Sequence, residues 1–339
     1  MWRRCQLRFS FAWRRWCRHP LARFQWRTLL NVALALTALY FFAGWFQPPV
    51  EQLSERPQIT VWRADLNRAE VMDIEEYIKG VVAAEMPASF AFEALKAQAV
   101  AARTFTINAI IKGKSVPGHP EAVVSTDPSV SQAWVSEASL RRRYNFLEFY
   151  WRWRKINKAV DDTCGQVLTY EGEPILAVYH ADSGGCTENS ENYWSSAVPY
   201  LRSVEDPYAL PDAVVVEKPL NVVMATKGTA SAEAVAVMSK VGQASSAVEV
   251  VERFPSGRVK WVYIGGKIVS GRVLRETLGL RSNWFDVTVN GQVVVFSQRG
   301  YGHGVGMPQN GADGWARQGA TYEQILHHYY SGVQLVQWY

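Results

Sequence analysis

The order of apolar and polar positions divides the chain into three regions. Residues 29–46 form an almost uninterrupted apolar run. Between about 74 and 158, apolar residues recur at the period of an amphipathic helix. From 165 onward, short stretches alternate apolar and polar residues, as strands with one buried face do. Helices first and strands later predict an α+β fold rather than alternating βαβ units.

The first predicted helix carries a carboxylate at its end. Apolar residues from Ile74 to Val82 lie at helical spacing, and Asp73 precedes them as an N-cap. Glu85 falls on the same apolar stripe. Because Pro87 disfavours helical geometry at the residue before it, we expect the helix to end at or just after Glu85.

The remaining elements are predicted to form a helical N-terminal part packed on antiparallel hairpins. A first strand is expected at 59–64, and further helices at about 90–110, which is rich in alanine, and at roughly 131–158. Hairpins follow from 165, including FDVTVNGQVVVF with its Asn-Gly turn. Residues 213–282 are predicted to be an inserted α/β subdomain.

The apolar run at 29–46 predicts one transmembrane helix ahead of this fold. Its length is at the short end of what spans a bilayer, and the tail at 1–28 carries eight arginines and no acid. The positive-inside rule places this tail in the cytoplasm, so a single-pass cell-membrane localisation is expected. Residues 47–58 are then a linker, and 59–339 an extracytoplasmic domain. The alternative is a cleaved signal peptide, although no A-x-A-like site follows the run.

The charge distribution excludes one class of partner. Eight of the 36 lysines and arginines lie before residue 29, so residues 29–339 carry 28 basic and 31 acidic residues despite the net charge of +5. The bulk of the chain is therefore not a polyanion binder, and nucleic acid is not an expected partner.

The four cysteines fall on both sides of the predicted span. Cys5 and Cys17 precede it and are expected to be plain thiols in a reducing compartment. Cys164 and Cys186 follow it and could form a disulfide, a question that the sequence leaves open.

Glu85 is the first candidate for chemistry. Partial desolvation on the apolar stripe disfavours its charged form, and the end of a helix adds negative potential nearby. Both effects raise the pKa of the carboxyl, and a carboxyl that stays protonated near neutral pH can act as a general acid. The alternative is an ordinary helix-terminal glutamate whose head group reaches water.

The stretch RRRYNFLEFYWRWRK, residues 141–155, is both basic and aromatic. Its rings could stack on sugar faces, and its cations could meet anionic lipid or teichoic polymers. The interpretation we favour is an amphipathic helix with its aromatic residues inside and its arginines in solvent.

Three segments resemble, in the same order, motifs of the stage II sporulation protein D family: EEYIKGVVAAEMPASFAFEALKAQAVAARTF, YHADSGGCTENSENYWSSAVPYLRSVEDPY and RGYGHGVGMPQNGADGWARQGATYEQILHHYY. The resemblance covers nearly all of residues 59–335. It implies a membrane-anchored, extracytoplasmic lytic transglycosylase that cuts peptidoglycan glycan strands, stripped of peptide, during endospore engulfment. It also implies partners among other sporulation membrane proteins, including a peptidoglycan amidase or endopeptidase.

The resemblance assigns roles to residues of the helical part. Glu85, in AAEMP, matches the catalytic acid of the family. Lys96 and Arg103 match positions expected to line the same cleft, and their spacing of seven places them on one helix face. The alternative for these two residues is a pair of solvated helix charges.

Two polar loops supply the remaining predicted substrate contacts. Short hydroxyl and amide side chains among glycines suit hydrogen bonding to sugars, and the residues expected to do this in 180–194 are Ser183, Thr187, Glu188 and Asn189. In 299–312, which lacks the residue order of a phosphate-binding loop, His303 and Gln309 are the expected cleft groups. The alternatives are a plain polar loop and a histidine that orients its own loop.

A single carboxylate is enough for the expected reaction, whereas glycosidases normally use two. In a lytic transglycosylase the acid protonates the glycosidic oxygen, and the sugar's own 6-hydroxyl then attacks to give a 1,6-anhydro product. Asp182 or Glu188 could be a second carboxylate, so a lysozyme-like hydrolase is an alternative. Related proteins have been described as amidase enhancers, so a non-catalytic cell-wall-binding enhancer of an amidase is another.

No cofactor or metal ion is expected. Some members of the family bind zinc through a His-x5-Cys-x5-Cys arrangement, and here His119 is followed by Ser125 and Ser131 at the cysteine positions. Serine hydroxyls are poor zinc ligands compared with thiolates. A site built from His180 and the cysteines at 164 and 186 is a weaker alternative.

Overall fold

The computed structural model describes residues 55–241 and 246–339. Its helices are α1 (Ile74–Glu85), α2 (Phe92–Ile111), α3 (Glu137–Arg143), α4 (Phe146–Asp161), α5 (Ser190–Tyr193), α6 (Leu220–Met224), α7 (Ala232–Lys240), α8 (Gly271–Leu278), α9 (Gln309–Arg317) and α10 (Tyr322–Tyr329). Its strands are β1 (Gln58–Arg63), β2 (Arg68–Asp73), β3 (Val124–Ser125), β4 (Gln166–Tyr170), β5 (Glu173–Pro174), β6 (Tyr179–His180), β7 (Val214–Pro219), β8 (Val248–Arg253), β9 (Val259–Ile264), β10 (Lys267–Ser270), β11 (Phe285–Asn290), β12 (Val293–Gln298), β13 (Met307–Pro308) and β14 (Gln334–Gln337).

The predicted transmembrane helix, and the single-pass membrane localisation that follows from it, need correction. Within residues 55–241 and 246–339, no helix combines the length and the apolar content that crossing a membrane requires. The predicted span at 29–46, the tail at 1–28 and most of the linker at 47–58 lie outside the described residues. What the structure describes is a domain of mixed helices and strands.

Helix α1 begins and ends where the sequence places its signals. The Asp73 side chain accepts hydrogen bonds from two backbone N–H groups of the first turn, which caps the helix start. At the other end Met86 is extended, with φ −123° and ψ 136°, because Pro87 disfavours helical geometry before it. The predicted end of this helix at Glu85 is confirmed.

Helix α2 is the centre of the helical part. Its buried residues run with few breaks from Ala94 to Ala109, and α1, α4, α9 and α10 all pack against it. Alanine side chains on several sides let these neighbours approach closely. The helix is therefore enclosed around most of its circumference. Its charged side chains consequently meet neighbouring elements of the protein.

The single helix predicted at roughly 131–158 is two helices, α3 and α4. Helix α3 ends at Arg143, since Tyr144 is extended, and the Asn145 side chain caps α4 by accepting from the N–H of Glu148. The extended Tyr144 therefore separates α3 from α4, and the capping asparagine starts the second helix. The predicted continuous helix is wrong at this point.

The segment before α3 is not helical and lies across α1. The Val135 N–H donates to the Gly80 carbonyl oxygen at 3.2 Å. The Trp134 indole lies directly on Gly80, where an added Cβ would be 2.2 Å from the ring. Glycine at this position permits the crossing, and the crossing brings the backbone of Ala133 to the end of α1.

The strands pair in small sheets, and two of the pairings are parallel rather than antiparallel. Strand β3 pairs in parallel with β1, and β13 pairs in parallel with β6, which places Met307 beside Tyr179. Gly306 permits the second pairing, since a Cβ there would lie 2.1 Å from the Val178 carbonyl oxygen. Helix α9 starts at Gln309, directly after β13, so this pairing brings Tyr179 and Gln309 to the same region.

The inserted region packs as a unit that extends past 282. Its sheets, with strand orders β11-β12-β7 and β10-β9-β8, share an apolar cluster that includes Val223, Val262, Phe285 and Phe296. Because β7 pairs with β12, the packed unit continues to the end of β12.

Candidate active site

Three separate segments bring polar groups to the end of α1. The Ala133 N–H donates to Oε1 of Glu85 at 2.9 Å, and Nε2 of Gln309 donates to Oε2 at 3.1 Å. Tyr179 is near enough to the same carboxyl to lower its pKa. Glu85 is half-buried and lines a cleft of about 360 Å³. Gln309 is thus the predicted site residue that the structure brings to Glu85.

The surroundings of Glu85 favour its protonated form. Burial raises the pKa of its carboxyl above the usual 4.5, and the contacts with Ala133, Gln309 and Tyr179 offset part of that rise. Within the described part of the chain, no cation pairs with this carboxyl to favour its charged form. A cleft-lining carboxyl with a raised pKa is suited to proton donation.

Tyr179 also belongs to a hydrogen-bond network beside Glu85. Its hydroxyl donates to Oε1 of Gln132 at 2.8 Å, and Nε2 of Gln132 donates to Oγ1 of Thr106 at 3.2 Å. The Tyr77 hydroxyl lies 3.5 Å from the same Nε2. Burial raises the pKa of Tyr179 well above its ordinary value, so its hydroxyl keeps its proton.

The other wall of the cleft comes from α3 and α4. Its α4 residues are Phe149, Arg152, Trp153 and Ile156. These positions follow the i, i+3, i+4, i+7 spacing of one helix face. The spacing is visible in the sequence, but only the fold shows that this face lies across from Glu85.

A larger groove of about 710 Å³ continues from the cleft, because the two share Ala88 and Arg152. It is lined largely by aromatic and basic side chains, among them Phe92, Trp151, Arg152, Arg154, Lys155 and Lys158. The favoured interpretation of 141–155 holds only in part, because Phe149 is buried whereas Trp151 is 64% exposed and Phe146 79% exposed.

The cations of this groove differ in their partners. Arg152 and Lys158 each pair with a carboxylate on or at the end of α4. Lys155 donates to two backbone carbonyls of the segment between α1 and α2. Arg154 contacts the Tyr150 hydroxyl and has no acidic partner among the residues that the structure describes. Within the described residues, two of the four cations therefore form no ion pair with a carboxylate.

The polar loop at 180–194 uses its side chains to hold its own fold. The four residues predicted here to bind substrate are bonded within the protein: Ser183 to Asp206, Thr187 to the Val204 backbone, Glu188 to Ser256 and Asn189 to the Ser203 backbone. None of the four lines the cleft at Glu85. The structure does not bring this loop to the candidate acid.

Neither candidate for a second carboxylate faces the cleft. Asp182 is 2% exposed and accepts hydrogen bonds from the Leu210 N–H and the Asn310 side chain. Glu188 is 1% exposed and is bonded to Ser256. Among the described residues that line the cleft, Glu85 is the one carboxylate.

Lys96 and Arg103 also lie away from Glu85. Lys96 pairs with Glu93 at 3.0 Å and lies over two aromatic rings. Arg103 is fully buried and donates two hydrogen bonds to the Glu75 carboxylate, at 2.8 and 2.7 Å. The spacing of seven places both on one face of α2, but that helix is enclosed by its neighbours, so the shared face does not reach the cleft.

His303 lies in an aromatic cluster with His180, Tyr193 and Trp194, with ring centroids 5.3 to 5.7 Å from its own. Its Nδ1 accepts a hydrogen bond from the Val305 N–H at 3.0 Å. Burial lowers the pKa of His303 to about 3, so the ring is neutral. This geometry matches the alternative in which the histidine orients its own loop.

Cys164 and Cys186 are both free thiols. His119 stacks on Trp62, with ring centroids 3.3 Å apart, and the serine hydroxyls at 125 and 131 accept hydrogen bonds from backbone N–H groups. Within 55–241 and 246–339, no group of three His, Cys, Asp or Glu side chains is arranged to hold a metal ion.

Known proteins resemble this chain over most of its length. A family model described as Stage II sporulation protein matches residues 63–170. Stage II sporulation protein D of Bacillus subtilis (strain 168) is 39% identical over 287 residues, which cover 84% of this chain and 81% of that protein. The protein of the same name from Bacillus amyloliquefaciens is 37% identical over 284 residues, which cover 84% and 80%. An amidase enhancer of Bacillus subtilis is 30% identical over 306 residues, which cover 76% of this chain and 40% of that protein.

Proposed function

Because this chain belongs to the stage II sporulation protein D family, we propose that it cuts the glycan strands of peptidoglycan by lytic transglycosylation, with Glu85 as the acid and then the base. The observation that carries the proposal is one half-buried carboxyl with a raised pKa at the edge of a cleft. No second carboxylate is found among the described lining residues of that cleft.

The proposed reaction needs only one carboxyl group. Protonated Glu85 gives its proton to the glycosidic oxygen, and the bond between that oxygen and the anomeric carbon breaks. The Glu85 carboxylate then takes the proton of the 6-hydroxyl of the same sugar, and the hydroxyl oxygen bonds to the anomeric carbon. The products are a 1,6-anhydro sugar end and a free hydroxyl on the leaving sugar. Glu85 is protonated again, and no water is consumed.

Among the described residues, the cleft has no second carboxylate, and this favours the proposed reaction over hydrolysis. Inverting and retaining glycosidases place two carboxyl groups on opposite sides of the bond, about 5 to 9.5 Å apart. Asp182 and Glu188 are both buried and bonded within the protein, so neither is free to activate a water or attack the sugar.

The groove that continues from the cleft supports an extended polysaccharide as the substrate. Trp151 presents a largely exposed ring, and rings of this kind offer an apolar face to a sugar. Arg154 and Lys155 add positive charge, and neither forms an ion pair with a carboxylate of the described residues. We propose that the strand runs from Glu85 along this groove past Trp151.

Product analysis tests the proposed function. The full chain is incubated with purified glycan strands, and the released fragments are analysed by mass spectrometry. The expected fragments carry anhydro ends and are lighter by one water than hydrolysis products. Glu85→Gln is expected to release none, whereas Glu76→Gln, a matched change at an exposed position of α1, should behave as wild type. Cutting by Glu85→Gln at the wild-type rate would overturn the proposal.

A second candidate function is stimulation of an amidase, which the similarity to the amidase enhancer favours. A stimulator needs a binding surface but no acid. The rate of an added peptidoglycan amidase therefore separates the two functions. Equal stimulation by wild type and Glu85→Gln, with no anhydro ends from either, would support the enhancer.

A further inference from the structure

The proposed reaction asks one carboxyl group to give up a proton and then to take one back. Burial of Glu85 favours the first half, because it destabilises the charged form. The second half begins with a carboxylate, and no cation among the residues that the structure describes pairs with it. Hydrogen-bond donors are then the groups that can stabilise this charge in the middle of the reaction.

Two donors meet the two oxygens of Glu85, one on each. The Ala133 N–H donates to Oε1 at 2.9 Å, and Nε2 of Gln309 donates to Oε2 at 3.1 Å. An ionised carboxylate only accepts, and a hydrogen bond to a charged acceptor is about twice as strong as one between neutral groups. Both contacts therefore strengthen as the Glu85 proton leaves. Interactions that strengthen as charge develops lower the barrier of a reaction.

The start of α9, which carries Gln309, is fixed to the segment after β6. Gln309 is the first residue of α9 and is 7% exposed. The Asn310 N–H donates to the Ala181 carbonyl oxygen at 3.0 Å, and the Asn310 side chain donates to Oδ2 of Asp182 at 3.2 Å. Gln309 thus reaches Glu85 from an anchored backbone, so its amide is in place before the charge develops.

We propose that Gln309 is a positioning residue that stabilises the Glu85 carboxylate between proton donation and proton uptake. This role rests on the proposed function of Glu85 as the acid and then the base. The resemblance of its loop led us to expect Gln309 as a substrate contact, whereas in the structure its amide is bonded to the acid itself. Asn310 supports the role indirectly, because it holds the backbone from which Gln309 extends.

The two tyrosines beside Glu85 do not replace this donor. Burial raises the pKa of Tyr77 and Tyr179, so both phenols keep their protons. The Tyr179 hydroxyl donates to Oε1 of Gln132 at 2.8 Å, and a phenol has only one proton to donate. Tyr179 lowers the pKa of Glu85 as well, but less than the two donors do.

The charged groups nearby do not pair with Glu85 in the described part of the chain. Arg143 of α3 and Arg152 of α4 line the cleft, and Arg152 pairs with a carboxylate of its own helix. Farther along α9, Asp313 pairs with Arg317 at 2.7 Å. The stabilisation of the Glu85 carboxylate therefore depends on neutral donors, and Gln309 is the one that a side-chain substitution removes.

The test follows the titration of Glu85 by NMR in the full chain. Glutamate is labelled with carbon-13 at the carboxyl, and comparison with Glu85→Gln identifies the Glu85 signal. Gln309→Met removes the donor with little change in volume, and we expect the pKa of Glu85 to rise by about one pH unit, the size of one hydrogen bond to a charged group. Asn310→Ala loosens the start of α9 and should give a smaller rise. Gln318→Met, at an exposed position directly after α9, is the matched control and should leave the titration unchanged.

Two further readouts distinguish this role from a merely structural one. In wild type labelled with nitrogen-15, the side-chain amide protons of Gln309 should shift downfield as Glu85 ionises, with the same midpoint. In Gln309→Met, kcat should fall by up to about tenfold with KM unchanged, because a carboxyl with a higher pKa is a weaker acid. The alkaline limb of its pH profile should move to higher pH, whereas a structural defect alone would lower the rate without moving that limb.

The proposal is overturned if the Glu85 pKa falls or stays unchanged in Gln309→Met, or if the Gln309 amide signals do not follow the titration. A raised KM with an unchanged titration would assign Gln309 to the sugar instead. A thermal melt of each variant establishes that folded protein is measured, and the wild-type amide signals decide the matter if Gln309→Met does not fold. Because the titration does not depend on turnover, a raised pKa in a protein that releases no anhydro ends would leave this inference standing while the proposed function fails.

Discussion

Two glutamates of α1, Glu75 in its first turn and Glu85 at its end, show how differently one helix can hold a carboxyl group. Glu75 is 1% exposed and receives two hydrogen bonds from Arg103. Burial by itself would raise the pKa of Glu75, but the Arg103 guanidinium lowers it below the usual 4.5. Glu85 is less deeply buried, yet burial raises its pKa, because no cation among the described residues pairs with it and offsets that effect.

The comparison teaches that the neighbours of a carboxyl, and not its depth, decide whether it can donate a proton. Glu75 is surrounded by donors, since the Gly165 N–H and the Tyr339 hydroxyl also bond to it. It is a fixed anion that ties α1 to α2 and to the end of the chain. Glu85 has fewer donors and an open cleft in front of it.

The largest expected effect is the loss of cleavage when the reactive member of the pair is changed. We expect Glu85→Gln to lower the rate of strand cleavage by about 10³-fold, since a general acid contributes on the order of 10²–10⁴-fold. Its free energy of unfolding should change by less than about 1 kcal/mol. The rate of fragment release and urea denaturation measure the two quantities. Full activity in Glu85→Gln would end the distinction between the two glutamates.

The next largest effect is a loss of stability when Glu75, the structural glutamate of the pair, loses its cation. Arg103→Met leaves Glu75 buried without its cation, which should destabilise the fold by about 3–5 kcal/mol in urea denaturation. The double change with Glu75→Leu should recover most of that loss, because no buried charge then lacks a partner. The control is Lys79→Met, which breaks pairs with exposed Glu76 and exposed Asp161 and should cost at most about 1 kcal/mol. A cost that small for Arg103→Met would contradict the account.

The two glutamates should also respond to pH in opposite directions. The folded pKa of Glu75 is lowered, so its stabilising effect is present above pH 4.5 and is lost as the pH falls below it. The folded pKa of Glu85 is raised, so its contribution is present below pH 4.5 and is lost as the pH rises. Relative to wild type, Glu75→Gln should be most destabilised near neutral pH, whereas Glu85→Gln should gain stability as the pH rises from 4.5. Melting temperatures measured across this range check the signs, and parallel trends for the two variants would refute them.

The smallest effect tests the groove beside the acid. Trp151→Ala should raise KM for long strands by about fivefold, which corresponds to a stacking contribution of about 1 kcal/mol, and should leave kcat unchanged. Phe146→Ala is the matched control, because that ring is more exposed and lines neither the cleft nor the groove. Equal effects of the two variants would remove Trp151 from the proposed binding path.

The part of the site that local signals determine could be predicted from the sequence. Asp73 and Pro87 fix the two ends of α1, and the apolar stripe places Glu85 where it is partly desolvated. Gln309 was expected in the cleft from the resemblance of its loop, and the structure places it on Glu85.

The rest depends on contacts between distant segments, which the sequence does not display. The polar side chains at 183–189 suit sugar binding. In the fold, however, they form hydrogen bonds with Asp206, Ser203 and Ser256. The spacing of Lys96 and Arg103 was correct, but it could not show that α2 is enclosed. Gln132 carried no signal, and Tyr179 begins the second resembling segment but had no role assigned to it, because the place of both residues beside Glu85 arises where a loop, a strand and two helices meet.

The most direct test of the central claim is the source of the oxygen at the new sugar end. Strands are cut by the full chain in water labelled with heavy oxygen, and the ends are analysed by mass spectrometry. If Glu85 acts alone as acid and then base, the ends are anhydro sugars and carry no label. Reducing ends that carry the label would show that water attacks the sugar, and would contradict the account.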